Sequence, residues 1–252
     1  MIAAFRTLAL GLCAAIAISG VLASQPPKAR AGDEAKSVVE LFTSQGCSSC
    51  PPADAYLGKL AKRSDVIALT FPVDYWDYLG WKDTLANPAF SARQRAYAKA
   101  RRDGQVYTPQ MVIDGKYHAV GSQAHSVRQT ILKSRADKPV RVAIKVWVEG
   151  DSLLITAGDA MPGERVKPAT VWLALVKDSE TVKIERGENR GETITYHKVV
   201  REITPVGQWN GEKVTIKLPK HHLKNRGADG CTVLLQQDTA GPVIAAAEMK
   251  KW

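Results

Sequence analysis

Two cysteines separated by two residues, in Gly46-Cys47-Ser48-Ser49-Cys50-Pro51-Pro52, follow closely on the apolar run Val38-Val39-Glu40-Leu41-Phe42. This order predicts a strand that gives way to a helix at the cysteine pair. A thiol at a helix N-terminus faces unpaired backbone N–H groups and the positive end of the helix dipole, and both stabilise the reactive thiolate. A pair at this spacing closes a small disulfide and reopens it by exchange. Pro51 and Pro52 suit a first helical turn, where no N–H is needed. The chemistry expected is dithiol–disulfide exchange, with Cys47 as the more exposed, attacking thiolate and Cys50 as the deeper resolving thiol. A permanently closed structural disulfide is the competing reading. A tetrahedral metal site would need two further ligands, and His118, His125, His197, His221 and His222 offer no partner spacing of that kind.

The elements that must position this pair change character near Lys138-Pro139. Before it, strands and helices alternate: Ser37 to Phe42, a helix from Cys50 to Lys62, a strand from Val66 to Val73, and a helix around Pro88 to Arg102. Gln110 to Ile113, the turn Asp114-Gly115, Lys116 to Val120 and a helix from His125 to Arg135 complete an α/β pattern. After it, the hydrophobic period is two, as in Val140-Arg141-Val142-Ala143-Ile144-Lys145-Val146-Trp147-Val148. Further strand-like runs at 152–157, 169–176, 192–200, 213–217, 231–236 and 243–248 predict an all-β, immunoglobulin-like sandwich. The expected organisation is thus an α/β domain over residues 36–137, with a helical insertion at about 75–102, followed by a β-sandwich over 139–252.

Residues 1–31 read as an export signal: Arg6 precedes the apolar stretch Leu8 to Leu22, and cleavage is expected after Ala23 or Ala31. The stretch is short for the roughly 20 residues of a spanning helix, so no stable membrane insertion is expected after its removal. The chain is therefore expected to be exported. Loss of the leader removes Arg6, Lys28 and Arg30 and no acid, which lowers the formal net charge from +10 to +7. Arg93, Arg95, Lys99, Arg101 and Arg102 form the one basic cluster on a predicted helix; with no nucleic-acid-binding motif beside it, it reads as a solvated helix face rather than a site for nucleic acid. Cys231, among Thr232, Val233, Leu234 and Leu235, reads as a buried structural cysteine.

Three other features bear on the site. Glu40 lies mid-strand among apolar residues, where an ionised carboxylate is costly to bury without a partner. It either serves the cysteine pair or pairs with Lys36 or another base. Trp76, Tyr78 and Trp81, interspersed with Asp74, Asp77 and Asp83, either pack the insertion or line a substrate groove. Glu185-Arg186-Gly187-Glu188-Asn189-Arg190-Gly191 is a dense charged loop between two predicted strands, either a solvated hairpin or a docking patch.

The N-terminal half resembles the thioredoxin superfamily: a strand leads into Cys47-Ser48-Ser49-Cys50 and a helix, Thr108-Pro109 precedes Gln110-Met111-Val112-Ile113, and a hairpin through Asp114-Gly115 leads to a last helix. More closely, Glu40 to Asp54, Val73 to Asp83 and Arg186 to Gly191 resemble the DUF1223 family of secreted thioredoxin-like proteins. The resemblance implies a thioredoxin-like first domain, a periplasmic or secreted location, a Thr108-Pro109 bond that is typically cis and holds an extended substrate beside the cysteines, and a buried acid beneath the pair, matched by Glu40, that accepts the proton of Cys50. Protein thiols or disulfides are the partners implied, with the Cys47–Cys50 disulfide itself as redox group and no separate cofactor or metal. A non-enzymatic binding or assembly factor is the alternative.

Overall fold

The computed structural model describes Met1 and residues 36–137, 142–164, 166–224 and 227–250. The leader beyond Met1 and the expected boundary at Lys138-Pro139 lie outside the described residues. The first half of the chain forms β1 (Ser37–Thr43), α1 (Pro51–Leu60), β2 (Val66–Pro72), a 3-10 turn (Asp77–Leu79), α2 (Pro88–Arg101), β3 (Gln110–Ile113), β4 (Tyr117–Val120) and α3 (Ala124–Ala136). The second forms β5 (Ile144–Glu149), β6 (Ser152–Ala157), β7 (Ala169–Lys183), β8 (Thr193–Trp209), β9 (Val214–Pro219), α4 (His221–Lys224), β10 (Gly230–Gln237) and β11 (Val243–Lys250). Among the described residues no helix is long and apolar enough to cross a membrane.

β1 and β2 are buried at every position, as their near-continuous apolar sequences require of parallel strands covered on both faces. Val39 and Leu41 point to the face covered by α1 and α3, where they pack with Ala53, Leu57, Leu60, Val127 and Ile131. Val38 and Phe42 point the other way, toward Phe90 and Tyr97 of α2. The two-residue period of a strand makes this division unavoidable. α2 starts where Asn87 Oδ1 accepts the Ala89 N–H at 3.0 Å and Pro88 occupies the first turn.

The strands of both halves share one mixed, eight-stranded sheet in the order β11-β10-β7-β8-β2-β1-β3-β4. The seam is β2 against β8, parallel at Thr70 and Val199, with Thr70 Oγ1 donating to the carbonyl oxygen of His197 at 2.7 Å. A three-stranded sheet, β5-β6-β9, covers one face of the distal strands through Leu153, Ile155, Val171, Leu173, Val233 and Leu235. On the other face a single core runs from Phe42, Phe71 and Phe90 to Ala174, Val176, Leu234 and Val243.

This architecture overturns the expected thioredoxin-like domain followed by an immunoglobulin-like sandwich. The larger layer of the distal half is the continuation of the first half's sheet, so it cannot close as a sandwich of its own. Its signature was in β7 and β10: Leu173-Ala174-Leu175-Val176 and Cys231-Thr232-Val233-Leu234-Leu235 are buried on both faces, the burial of central strands rather than of half-exposed sandwich strands. β7 and β8 also run on to Lys183 and from Thr193, forming a long hairpin whose turn reaches back to the cysteine pair.

Candidate functional site

Cys47 and Cys50 form a disulfide at the N-terminus of α1. Cys50 is the N-cap residue, and its carbonyl accepts the N–H groups of Ala53 at 2.8 Å and Asp54 at 3.1 Å. Pro51 and Pro52 fill the first turn without wasting a donor. The loop ahead of the pair is anchored by Asp83, whose carboxylate accepts the N–H of Gln45 at 2.8 Å and that of Leu85 at 2.8 Å. Burial pushes the Asp83 carboxyl up to about 6 against the pull of these backbone donors, with Asp77 nearby adding to the rise.

Cys47 is not the exposed thiol expected from the sequence: it is 2% exposed, and the deeper Cys50 0%, although Ser48 and Ser49 between them lie in solvent. The β7–β8 turn is held against the loop that carries them. The Asn189 side-chain amide donates to the carbonyl oxygens of Gln45 at 2.9 Å and Cys47 at 3.0 Å, and the Ser48 N–H donates to Glu188 Oε2 at 3.3 Å. Gly187 holds φ +75°, and a Cβ there would lie 3.2 Å from the Cβ of Trp81, an approach that a larger residue would crowd. Trp81 Nε1 in turn donates to Gln45 Oε1 at 2.8 Å.

Thr108-Pro109 is a cis bond at the entry to β3. It joins the cysteine loop through Trp76, whose Nε1 donates to Thr108 Oγ1 at 2.8 Å and whose Cβ and carbonyl crowd Gly46. Tyr78 stacks on Trp76 and is the most exposed aromatic among the described residues of this region. The aromatics of the insertion therefore do two jobs: Trp76 and Trp81 brace the loop, and Tyr78 faces outward.

Glu40 does not sit beneath the pair. It points to the α2 face of the sheet, opposite α1, where Arg93 donates to both of its oxygens at 2.6 and 2.9 Å and the Tyr97 hydroxyl donates at 2.5 Å. The base that Glu40 requires is thus Arg93, not Lys36, and Arg93 belongs to the core rather than to the solvated helix face the sequence suggested.

The acid on the α1 side is Asp54, which sequence reasoning did not single out. It lies one helical turn after Cys50, is 2% exposed, and among the described residues neither of its oxygens has a well-formed hydrogen-bond partner. Burial raises its pKa well above the ordinary carboxylate range; the Thr43 hydroxyl opposes this and Asp83 reinforces it. Tyr196 of β8 joins the cluster, its hydroxyl also buried and, among the described residues, without a hydrogen-bond partner, its pKa raised by burial and then by Asp54 and Asp83. The available signal was the i, i+4 spacing from Cys50, which places both residues on one helix face. Cys231 is a buried free thiol of β10, pushed up to about 12 by burial, with the backbone of Met249 opposing.

Fold and site together define a mixed-sheet protein with a covered CxxC disulfide at a helix N-terminus. The chain belongs to the DUF1223 family, described as a protein of unknown function, whose pattern matches residues 38–236. It is similar to the crystal structure of protein AGR_C_4864 from Agrobacterium tumefaciens, at 33% identity and a TM-score of 0.75, covering 86% of this chain and 94% of that one. HBP35 of Porphyromonas gingivalis shares the fold at 14% identity and a TM-score of 0.58, covering 86% of this chain and 76% of the other. No curated protein matches the chain.

Proposed function

We propose that this chain is an exported thiol–disulfide exchange protein, periplasmic or secreted, acting on protein thiols or disulfides with the Cys47–Cys50 couple as its redox group. The observation that carries the reading is the pairing of a disulfide at the N-terminus of α1 with a buried carboxyl one turn further on, at Asp54, that among the described residues has no well-formed hydrogen bond. In one direction a substrate thiolate attacks Cys47 Sγ, the bond to Cys50 breaks, and Cys50 leaves as a thiolate. Asp54, kept protonated by burial, supplies its proton. A second substrate thiolate then attacks the mixed disulfide and releases Cys47, so two substrate thiols become one disulfide and the pair becomes a dithiol. The reverse sequence reduces a substrate disulfide, with Cys47 attacking and Cys50 resolving. Thr108-Pro109, tied to the cysteine loop by Trp76, offers backbone to the incoming chain.

The burial of both cysteines favours a second reading, a closed structural disulfide in a non-enzymatic binding or assembly factor. Turnover separates the two. Exchange predicts that Cys50→Ser traps mixed disulfides through Cys47, that Cys47→Ser traps few, and that the couple equilibrates with a glutathione buffer. A couple that stays oxidised under reductants that open ordinary catalytic disulfides, with no trapped adducts, removes the exchange reading.

A further inference from the structure

The β7–β8 turn is built as a stop, not as a slack loop. Gly191 N–H donates to the Ile184 carbonyl at 2.8 Å and Ile184 N–H to Glu192 at 2.9 Å, closing the hairpin; Glu192 N–H to Asn189 at 3.1 Å and Arg190 N–H to Gly187 at 3.2 Å set the turn itself. Asn189 is then 7% exposed with its side chain turned onto the cysteine loop. The arms behind it carry exposed positions on β7 beyond Val176, and β8 touches α1 where Tyr196 and His197 pass Cys50's helix. The turn rests on three backbone groups: two carbonyls, Gln45 and Cys47, that accept from Asn189, and one N–H, Ser48, that donates to Glu188.

We propose that the Glu188–Asn189 turn is a cap over Cys47, and that its lifting hands these backbone groups to an extended polypeptide main chain. An extended chain offers N–H donors and C=O acceptors along its edge, the same set that Asn189 and Glu188 supply from within. The cap accounts for the covered state of Cys47 beside two exposed serines, and its contacts are few enough to break without unfolding the sheet: two amide hydrogen bonds, one long bond to a carboxylate and the close approach of Gly187 to Trp81. The occupant rests on the exchange reading above; the cap does not.

Reduction by dithiothreitol tests the cap without any natural substrate. The reagent gives up two electrons and two protons and closes to its cyclic disulfide, while Cys47 and Cys50 become thiols. Asn189→Ala should speed this reduction about tenfold, the effect of losing two ordinary hydrogen bonds that hold the closed state. Glu188→Ala, a change at an exposed position that removes the acceptor of the Ser48 N–H, should speed it a few-fold, and Thr181→Ala, in the same hairpin but off the contact, should not change it. Rates for both Asn189→Ala and Glu188→Ala within twofold of the parent overturn the cap. For the occupant, a Cys50→Ser protein should form mixed disulfides with an activated cysteine peptide faster than with the same peptide N-methylated on the residues flanking its cysteine. Equal rates overturn the main-chain occupant. No adduct with either peptide overturns the exchange reading and the occupant together, and the dithiothreitol rates alone then decide the cap.

Discussion

Arg93 on α2 and Glu40 on β1 meet inside the core in a two-point ion pair, 2.6 Å from Nε to Oε2 and 2.9 Å from Nη2 to Oε1. The Arg93 guanidinium also donates to Gln236 of β10 at 3.2 Å and lies 4.9 Å from the Tyr97 ring centroid. One arginine thus ties the first half's strand β1 to the distal strand β10 across the face of the sheet. The pair lies on the α2 face of the sheet, opposite the face covered by α1.

Removing one partner of a buried pair leaves the other charge without compensation. Arg93→Ala should therefore cost about 3–5 kcal/mol in urea unfolding. Glu40→Gln should be milder but in the same direction, since Arg93 keeps a partial acceptor. In whatever fraction stays folded, the rate of disulfide reduction should match the parent; a selective fall in that rate at unchanged stability would return Glu40 to the thiol site.

The contact between α1 and β8 is equally specific. A Cβ on Gly58 would lie 2.4 Å from Cδ2 and 2.9 Å from Nε2 of His197, so the imidazole must move. Gly58→Ala should be destabilising by roughly 1–2 kcal/mol, despite the gain in helix propensity. Adding His197→Ala should recover most of that loss. A double variant no more stable than Gly58→Ala alone would show that the helix and strand are not in register as described.

What the sequence disclosed follows the range of the interaction concerned. The Cys47–Cys50 pair, Pro51-Pro52 and the alternation of strands and helices to Ala136 are local, and they could be read from spacing. Thr70 against Val199 and Asn189 against Cys47 cannot be read that way, because each joins residues more than a hundred positions apart. The two-residue alternation near Val142–Val148 suggested a free-standing sandwich, whereas Leu173-Ala174-Leu175-Val176 shows the double-sided burial of a central strand. Arg93 was misplaced for a related reason: its neighbours Arg95 and Arg102 are outward, and only the buried Glu40 explains why it turns inward.

Asp83 links the cysteine loop to pH. Its carboxyl titrates at about 6 in the folded chain, against about 3.9 in an unfolded one. The folded state therefore holds its proton over that interval while the unfolded state has lost it, and stability falls as pH rises from about 4 to 6. Two units correspond to about 2–3 kcal/mol. Asp83→Asn cannot ionise, so the stability advantage of the parent over the variant should shrink by about that amount between pH 4 and 7 in urea titrations. A constant gap across the range would mean that the backbone donors of Gln45 and Leu85, not burial, set the charge of this group.

Asp54 is the residue for which stability and function should part. Its folded pKa is also raised, so the stability it contributes in the protonated state is present below the unfolded value of about 3.9 and lost as pH climbs toward the folded one. Asn at this position keeps the shape and cannot ionise; Asp54→Asn should equal the parent in stability at pH 4 and exceed it increasingly at higher pH. On the proposed exchange chemistry, the same change also removes the proton offered to Cys50 as the disulfide opens. The rate of exchange with a peptide thiol should fall roughly 10²-fold near neutral pH, the scale of a lost general acid, and its pH profile should lose one ionisation. Thermal unfolding and stopped-flow exchange on the same preparations check both halves. A variant that is less stable at every pH, with its exchange rate unchanged, would make Asp54 a structural group and leave the proton of Cys50 to solvent.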